Sequence, residues 1–326
     1  MKTSRSYIVY KTLTRQSHKE YIKIDKRFKK DTPYQAFKRI LSFDINFVNS
    51  LDFSILGEEN FWSSEGNKIL FPGNEIFFNR LYNAEMSISD TSGFELPFKS
   101  FIVSVPAGME LQGRKIPSFQ VNFIDYATYN DTILKPFCDK CKIEMPHVNT
   151  QPYNPGERVL TVNYPNHEVD KTGRIRFMEM ESKLPKILKA KTIEEMKEVI
   201  APMKDKYKTL NLNDDDVALQ SIILKLIASI GIYYVATDKK SVIPGMPDIK
   251  GLSVERGTEY KPMNFKFENG NLIVRSQSEH VRGWSFRQLK HEKYYKGEYK
   301  DLAPGTRIVF VDSYVAGMKA ESYKIN

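Results

Sequence analysis

DDDVALQSIILKLIASIGIYYVA, residues 214–236, is the stretch on which the fold turns. From Val217 to Ala236 apolar side chains fall on almost every side of a 3.6-residue turn, which leaves no face for water. The stretch is long enough to cross a bilayer, but Gln220, Ser221, Lys225 and Ser229 would each be costly in hydrocarbon. It therefore predicts a helix enclosed by the rest of the chain, and no membrane partner is expected. Asn213 or Asp214 caps it, and the acidic residues 214–216 favour the positive end of its dipole.

Upstream, Thr192 and Glu195 form a capping box, opening a helix whose apolar face is Ile193, Met196, Val199 and Ile200. Segments Phe101–Val105, Phe119–Ile124, Val159–Asn163 and Ile175–Met180 are β-branched or aromatic and bounded by Pro, Gly or Asn, as strands are. Between Pro72-Gly73 and Met86, the residues Ile76, Phe77, Phe78, Leu81 and Tyr82 predict a helix with a bulky buried face. Thr32-Pro33 opens another, carrying Phe37, Ile40 and Leu41, and Tyr7–Thr12 reads as a strand.

Downstream, the Gly/Pro-rich loop Ile243–Gly251 is the best boundary. Phe265–Phe267, Leu272–Arg275 and Arg307–Val311 then read as strands, with Gly270 in a hairpin turn. The expected fold is α+β, a mixed or antiparallel sheet packed on a long central helix, with a β-rich C-terminal part. Residues 1–242 form the N-terminal part with its basic arm, and 252–326 the C-terminal one.

With 326 residues, 41% hydrophobic, the chain can bury a sizeable core, and disorder is not the default. Its net charge of +9 is unevenly spread. Residues 1–40 hold twelve Lys/Arg against three Asp/Glu, residues 41–270 hold 27 against 31, and residues 271–326 ten against six. Basic surface recruits phosphate polymers or acidic partners by its summed field. In the N-terminal arm Lys19, Lys23, Lys26, Arg27, Lys29 and Lys30 are interleaved with Tyr7, Tyr10, Tyr21 and Phe28, a mixture suited to neutralising phosphates while stacking on bases.

The two cysteines, Cys138 and Cys141, are too few and too close for a secreted disulfide framework, so a reducing cytoplasm is expected. Two thiolates at this spacing can chelate a tetrahedral zinc, with His147 and His167 completing the set. Those histidines stand twenty residues apart, whereas structural zinc motifs place the second pair close together. No cofactor is expected, zinc being the one candidate. The phosphate-cradling Gly-x-x-x-x-Gly-Lys-Ser/Thr loop, the Gly-x-Ser-x-Gly elbow and the His-Glu-x-x-His helix are all missing from the sequence, so the hydrolases built on them find no support.

The densest gathering of reactive side chains is Glu279-His-Val-Arg-Gly-Trp-Ser-Phe-Arg287, followed by His291, Tyr294 and Tyr295. Phosphodiester cleavage without metal needs a proton-transfer pair and a phosphate clamp. His280 fits general acid or base, Arg282 and Arg287 the clamp, and His291 or Tyr294 the second proton-transfer group. A structural alternative has Val281, Trp284, Phe286 and Leu289 packing inward, with the charged residues at the surface.

The run His280–Arg287, the strand Arg307–Asp312 and the ending Tyr314–Gly317 resemble the C-terminal signature of a loosely defined group of phage and mobile-element proteins. Leu96–Phe98 through Val105–Gly108 resembles the strand those proteins carry in their first half. Trp284 directly follows Gly283 here, so the second histidine of that pattern is missing unless His291 substitutes. The resemblance implies a bacterial host cell and a setting among proteins that bind host machinery or nucleic acid. The leading expectation is an accessory protein acting by binding nucleic acid or an acidic host protein. The rivals are a metal-independent ribonuclease-like enzyme using the His280 segment, and a virion or assembly structural protein. No oligomeric state follows from the sequence.

Overall fold

A computed structural model describes residues 7–8, 10–43, 50–72, 75–91, 93–144, 156–166, 171–177, 180–206, 214–245, 261–265, 281–311 and 314–315. The chain opens with β1 (Tyr7–Ile8), α1 (Leu13–Ile24), a 3-10 turn at Lys26–Lys30, α2 (Pro33–Phe43) and α3 (Ser50–Ser64). Next come β2 (Lys68–Phe71), α4 (Glu75–Tyr82), β3 (Glu85–Ser87), β4 (Ser100–Val103), β5 (Val105–Pro106), β6 (Glu110–Leu111), β7 (Arg114–Lys115) and β8 (Phe119–Asp125). After α5 (Lys135–Cys141), β9 (Arg158–Asn166) and β10 (Lys171–Phe177) pair antiparallel, followed by α6 (Met180–Lys189), α7 (Ile193–Lys206) and α8 (Asp214–Ala236). The last part holds β11 (Val242–Pro244), β12 (Lys261–Phe265), β13 (Val281–Arg282), β14 (Ser285–Leu289), β15 (Arg307–Val311) and β16 (Tyr314–Val315).

Seven strands form one mixed sheet in the order β10-β9-β8-β4-β2-β12-β11, parallel at β4-β2 and β2-β12 and antiparallel elsewhere. The fold is thus α+β, as expected. One strand from beyond residue 252 enters it directly, β12 lying beside β2, while β14 forms a separate three-stranded sheet by pairing parallel with β3 and antiparallel with β15. Leu272–Arg275 and Gly270 lie outside the described residues.

One face of the sheet is apolar, presenting Phe101, Val103, Phe119, Val121, Leu160, Val162, Ile175 and Phe177 to a core completed by α8 through Ile222, Ile223, Leu226 and Ile230. Among the described residues α8 is the one helix long and apolar enough to cross a membrane, and it is buried in the protein instead. Of its buried polar side chains, Gln220, Ser221 and Lys225 have partners, whereas the Ser229 hydroxyl has none among the described residues. Gln220 donates to the Tyr164 hydroxyl (3.1 Å), and Ser221 to the Val217 carbonyl (2.7 Å). Lys225 donates to the Ala190 carbonyl just past α6 and lies 4.7 Å from the centre of the Tyr82 ring.

An aromatic cluster docks the β14-β15 pair onto α8. Tyr233 stacks on Trp284 (6.2 Å between centroids, 11°) and meets Phe286 and Phe310 edge-on, while Phe77 of α4 stacks on Phe265 (4.6 Å).

Several boundaries differ from the sequence reading. The first strand ends at Ile8, and α1 occupies residues that carried no helical signal. The helix expected between Pro72-Gly73 and Met86 is α4, which ends at Tyr82, and Met86 sits on β3. The strand expected over Ile175–Met180 runs from Lys171 to Phe177, with Met180 opening α6. The Thr192 box is present, Thr192 Oγ1 accepting from the Glu195 amide (3.2 Å) and Glu195 Oε2 from that of Thr192 (3.4 Å). Thr32 and Gln35 make a second such box at α2.

Gly231 lets the Phe94–Glu95 segment cross α8: an added Cβ would lie 2.3 Å from the Phe94 ring and 2.9 Å from the Glu95 carbonyl. Gly231→Ala should therefore cost about 1–3 kcal/mol in urea denaturation. Gly93→Ala, where a Cβ meets nothing, should stay within about 0.5 kcal/mol; equal effects at the two sites would remove this close approach from the account.

Candidate functional site

The opposite face of the sheet is unusual. Alternation along β8, β9 and β10 places Gln120 and Asn122, Thr161 and Asn163, and Arg174 and Arg176 on one side. Strand register aligns these into two cross-strand rows, Arg176–Thr161–Asn122–Ser100 and Arg174–Asn163–Gln120. A polar row of this kind ordinarily faces water; here α3 covers it. Glu58 and Glu59 are consecutive on α3, and neighbouring helical residues point about 100° apart. One carboxylate meets the sheet and the other meets α1.

Glu58 is 0% exposed. Its Oε1 accepts from the Tyr129 hydroxyl (2.6 Å) and from Arg174 Nη2, and its Oε2 accepts from Asn163 Nδ2 (2.8 Å). Arg174 Nη2 also donates to the Tyr129 oxygen (3.0 Å). Gln120 Nε2 donates to the Glu58 carbonyl (2.9 Å), and the row continues from Asn122 to Thr161 and from Ser100 to Asn122. Burial opposes the charge on Arg174, but Glu58 outweighs it and holds the guanidinium above its ordinary pKa. The Arg176 guanidinium lies against the rings of Tyr126 (5.2 Å) and Tyr129 (5.5 Å).

Glu59 works on the other side. Its oxygens accept from the amides of Leu13 (2.6 Å) and Thr14 (2.9 Å), from the Thr14 hydroxyl (2.7 Å) and from the Tyr10 hydroxyl (3.3 Å). Thr12 makes no side-chain cap of its own, so a carboxylate from α3 closes the N-terminus of α1. Burial pushes the Glu59 carboxyl up to about 7, against the pull of these hydrogen bonds.

This anchoring displays the basic surface. Tyr21, Phe28, Ala36, Phe37, Leu56, Phe137 and Cys141 form a small core beneath α1, the 3-10 turn and α2. Tyr10, Tyr21 and Phe28, expected as a stacking platform, are buried and unavailable to bases, because a lobe this small needs its aromatics inside. Tyr7 lies on β1. The predicted basic residues Lys19, Lys23, Lys26, Arg27, Lys29 and Lys30 are all exposed, joined by Lys38. Lys23 pairs with Glu20 and Arg27 with Asp25; Lys19, Lys26, Lys29, Lys30 and Lys38 have no ion-pair partner among the described residues.

The other predicted groups are placed as follows. Cys138 and Cys141 lie buried on α5, and burial raises both thiols, Cys141 to about 12. No third His, Cys, Asp or Glu joins them among the described residues. His147 and His167 lie outside those residues, as does His280. Arg282 is on β13 opposite Tyr314. Arg287 is exposed on β14, and His291 caps the turn after it, Nδ1 accepting from the Lys293 amide (3.1 Å). Tyr294 is exposed, its carbonyl accepting from Arg307 (2.8 Å). Trp284 and Phe286 pack inward. Sequence reasoning missed Glu58, Glu59 and the polar rows; the available signal was a pair of carboxylates inside the apolar block Ile55–Trp62.

Comparison with protein-family models, with curated proteins and with solved structures finds no match to this chain.

Glu58→Gln strands the Arg174 charge, and should cost about 3–5 kcal/mol in denaturant unfolding; a loss below about 1 kcal/mol would show the pair is not what holds α3 to the sheet. Glu59 sets a pH dependence. Its folded-state value is raised above the ordinary 4.5, so its contribution is full below pH 4.5 and is lost as pH rises through about 7. Wild-type stability relative to Glu59→Gln should therefore fall between pH 5 and pH 8, and a constant difference across that window would contradict the shift.

Proposed function

We propose that the protein binds nucleic acid through the phosphate backbone, using the lysine-rich face of α1, the Lys26–Lys30 turn and α2. The observation carrying this reading is that Lys19, Lys26, Lys29, Lys30 and Lys38 stand exposed, without ion-pair partners among the described residues, on elements anchored by a buried core. Ammonium groups on long stems are point charges suited to phosphates. With Tyr10, Tyr21 and Phe28 buried, the face offers charge without a base-stacking platform, which favours backbone contact and little sequence preference. An acidic protein is the weaker partner. Stable protein interfaces centre on apolar and aromatic anchors, and among the described residues of that face Ile24 is the one exposed large hydrophobic side chain. The further role of accessory protein to a phage or mobile element, acting in the cytoplasm of its bacterial host, rests on the sequence resemblance alone.

If about six phosphates are contacted, affinity for a duplex oligonucleotide should fall about 10³-fold between 50 and 200 mM salt. Reversing Lys26, Arg27, Lys29 and Lys30 to Glu should weaken binding by about 100-fold at fixed salt with the fold intact by circular dichroism. Salt-independent affinity, or full affinity in the reversed variant, overturns the proposal. Co-purification of one host protein after nuclease treatment would assign the face to an acidic protein instead.

A further inference from the structure

The lysine face leaves unexplained the arginines at the sheet edge. Arg174 and Arg176 lie two residues apart on one side of β10, the terminal strand of the seven-stranded sheet. Glu58 neutralises one guanidinium by pairing with Arg174, whose side chain is 10% exposed. Arg176 has no hydrogen-bond or ion-pair partner among the described residues; its guanidinium rests on Tyr126 and Tyr129. The Nε atoms of both arginines are buried donors with no acceptor. Native proteins rarely leave such groups unpaired, and the charge of Arg176 is offset by no carboxylate among the described residues.

Asn163 Oδ1 is a third orphan, and Asn163 stands directly across from Arg174 in the strand register. An acceptor and a donor so placed can be bridged by one water. That solution serves Arg174 and leaves Arg176 unsatisfied. Two residues of strand separate the two Cα atoms by about 6.6 Å, a span over which one tetrahedral group can accept an N–H from each arginine. Guanidinium groups bind oxyanions through paired N–H donors, and the flanking tyrosine rings hold Arg176 in place.

We propose that Arg176 and Arg174, with Tyr126 and Tyr129, form a site for a phosphate group, taken either as inorganic phosphate or as the phosphate of a mononucleotide. Glu58 acts as a positioning residue: it fixes Nη2 of Arg174 and leaves the Nε edge to the ligand. The site is separate from the lysine face and does not depend on it.

The test is calorimetric titration of the full chain with sodium phosphate and with adenosine monophosphate. At least one probe should bind with Kd of about 1 mM or tighter. Arg176→Met should weaken that binding about tenfold or more while keeping the melting temperature without ligand, and Arg176→Lys should recover part of it. Comparable affinities for the two probes identify free phosphate; a mononucleotide bound about tenfold tighter identifies a phosphomonoester whose base adds contacts. The variant reversed at Lys26, Arg27, Lys29 and Lys30 should bind the probe as wild type does, whereas loss of binding there would locate the phosphate on the lysine face and overturn the proposal. Absence of binding by both probes, or undiminished binding in Arg176→Met, overturns it equally.

Discussion

A buried carboxylate under a helix, Glu58, is the constraint around which one half of the molecule is arranged. A charge taken from water is costly unless it is paired and hydrogen-bonded. Glu58 meets that requirement with groups from three separate places: Tyr129 after β8, Asn163 of β9 and Arg174 of β10. Each of these can reach it only if α3 lies across the sheet at one height and one rotation. The polar rows therefore do more than tolerate the helix; they select its position, which an apolar face would specify less sharply.

The two faces of the sheet are consequently held by different physics. Beneath α8, packing of Ile, Leu and Phe side chains supplies area without direction, and α8 can be apolar on all sides because it is covered on all sides. Beneath α3, directional bonds supply register. Glu59 extends the same logic outward, for it closes the amino end of α1 from the neighbouring helix and so ties the basic lobe to the polar face.

What could be read in the sequence was what local chemistry specifies. α8, the Thr192–Glu195 box and the β-rich middle carry their signals within a few residues, and the structure has them. α1 does not. Its sequence shows no sustained apolar stripe, and the group that caps it lies some 45 residues further on. α3 is silent for the opposite reason: its would-be polar face, Glu58, Glu59 and Asn60, is buried, so the period of polar and apolar residues is erased. β8, β9 and β10 were legible as strands from their β-branched and aromatic residues, but nothing in those segments says that a helix will cover their polar side. The lysines of the lobe were legible as charge, while the role of their aromatic neighbours was not. Whether Tyr21 and Phe28 stack on a ligand or fill a core depends on Phe137 and Cys141, more than a hundred residues away.

This last point alters the kind of binding the basic end can perform. A loose basic arm contacts phosphates only after losing conformational entropy, and the cost of ordering is taken from its affinity. Here Lys19, the 26–30 turn and Lys38 are mounted on helical elements fixed to one another by the Tyr21–Phe28–Phe37–Phe137 core and to α3 by Glu59, with Glu58 in turn holding α3 to the sheet. Their backbones are already ordered, so binding would restrict only the lysine side chains. Burying the aromatics thus removes base stacking from the surface and supplies a preformed array of charges in its place, at spacings set by the fold.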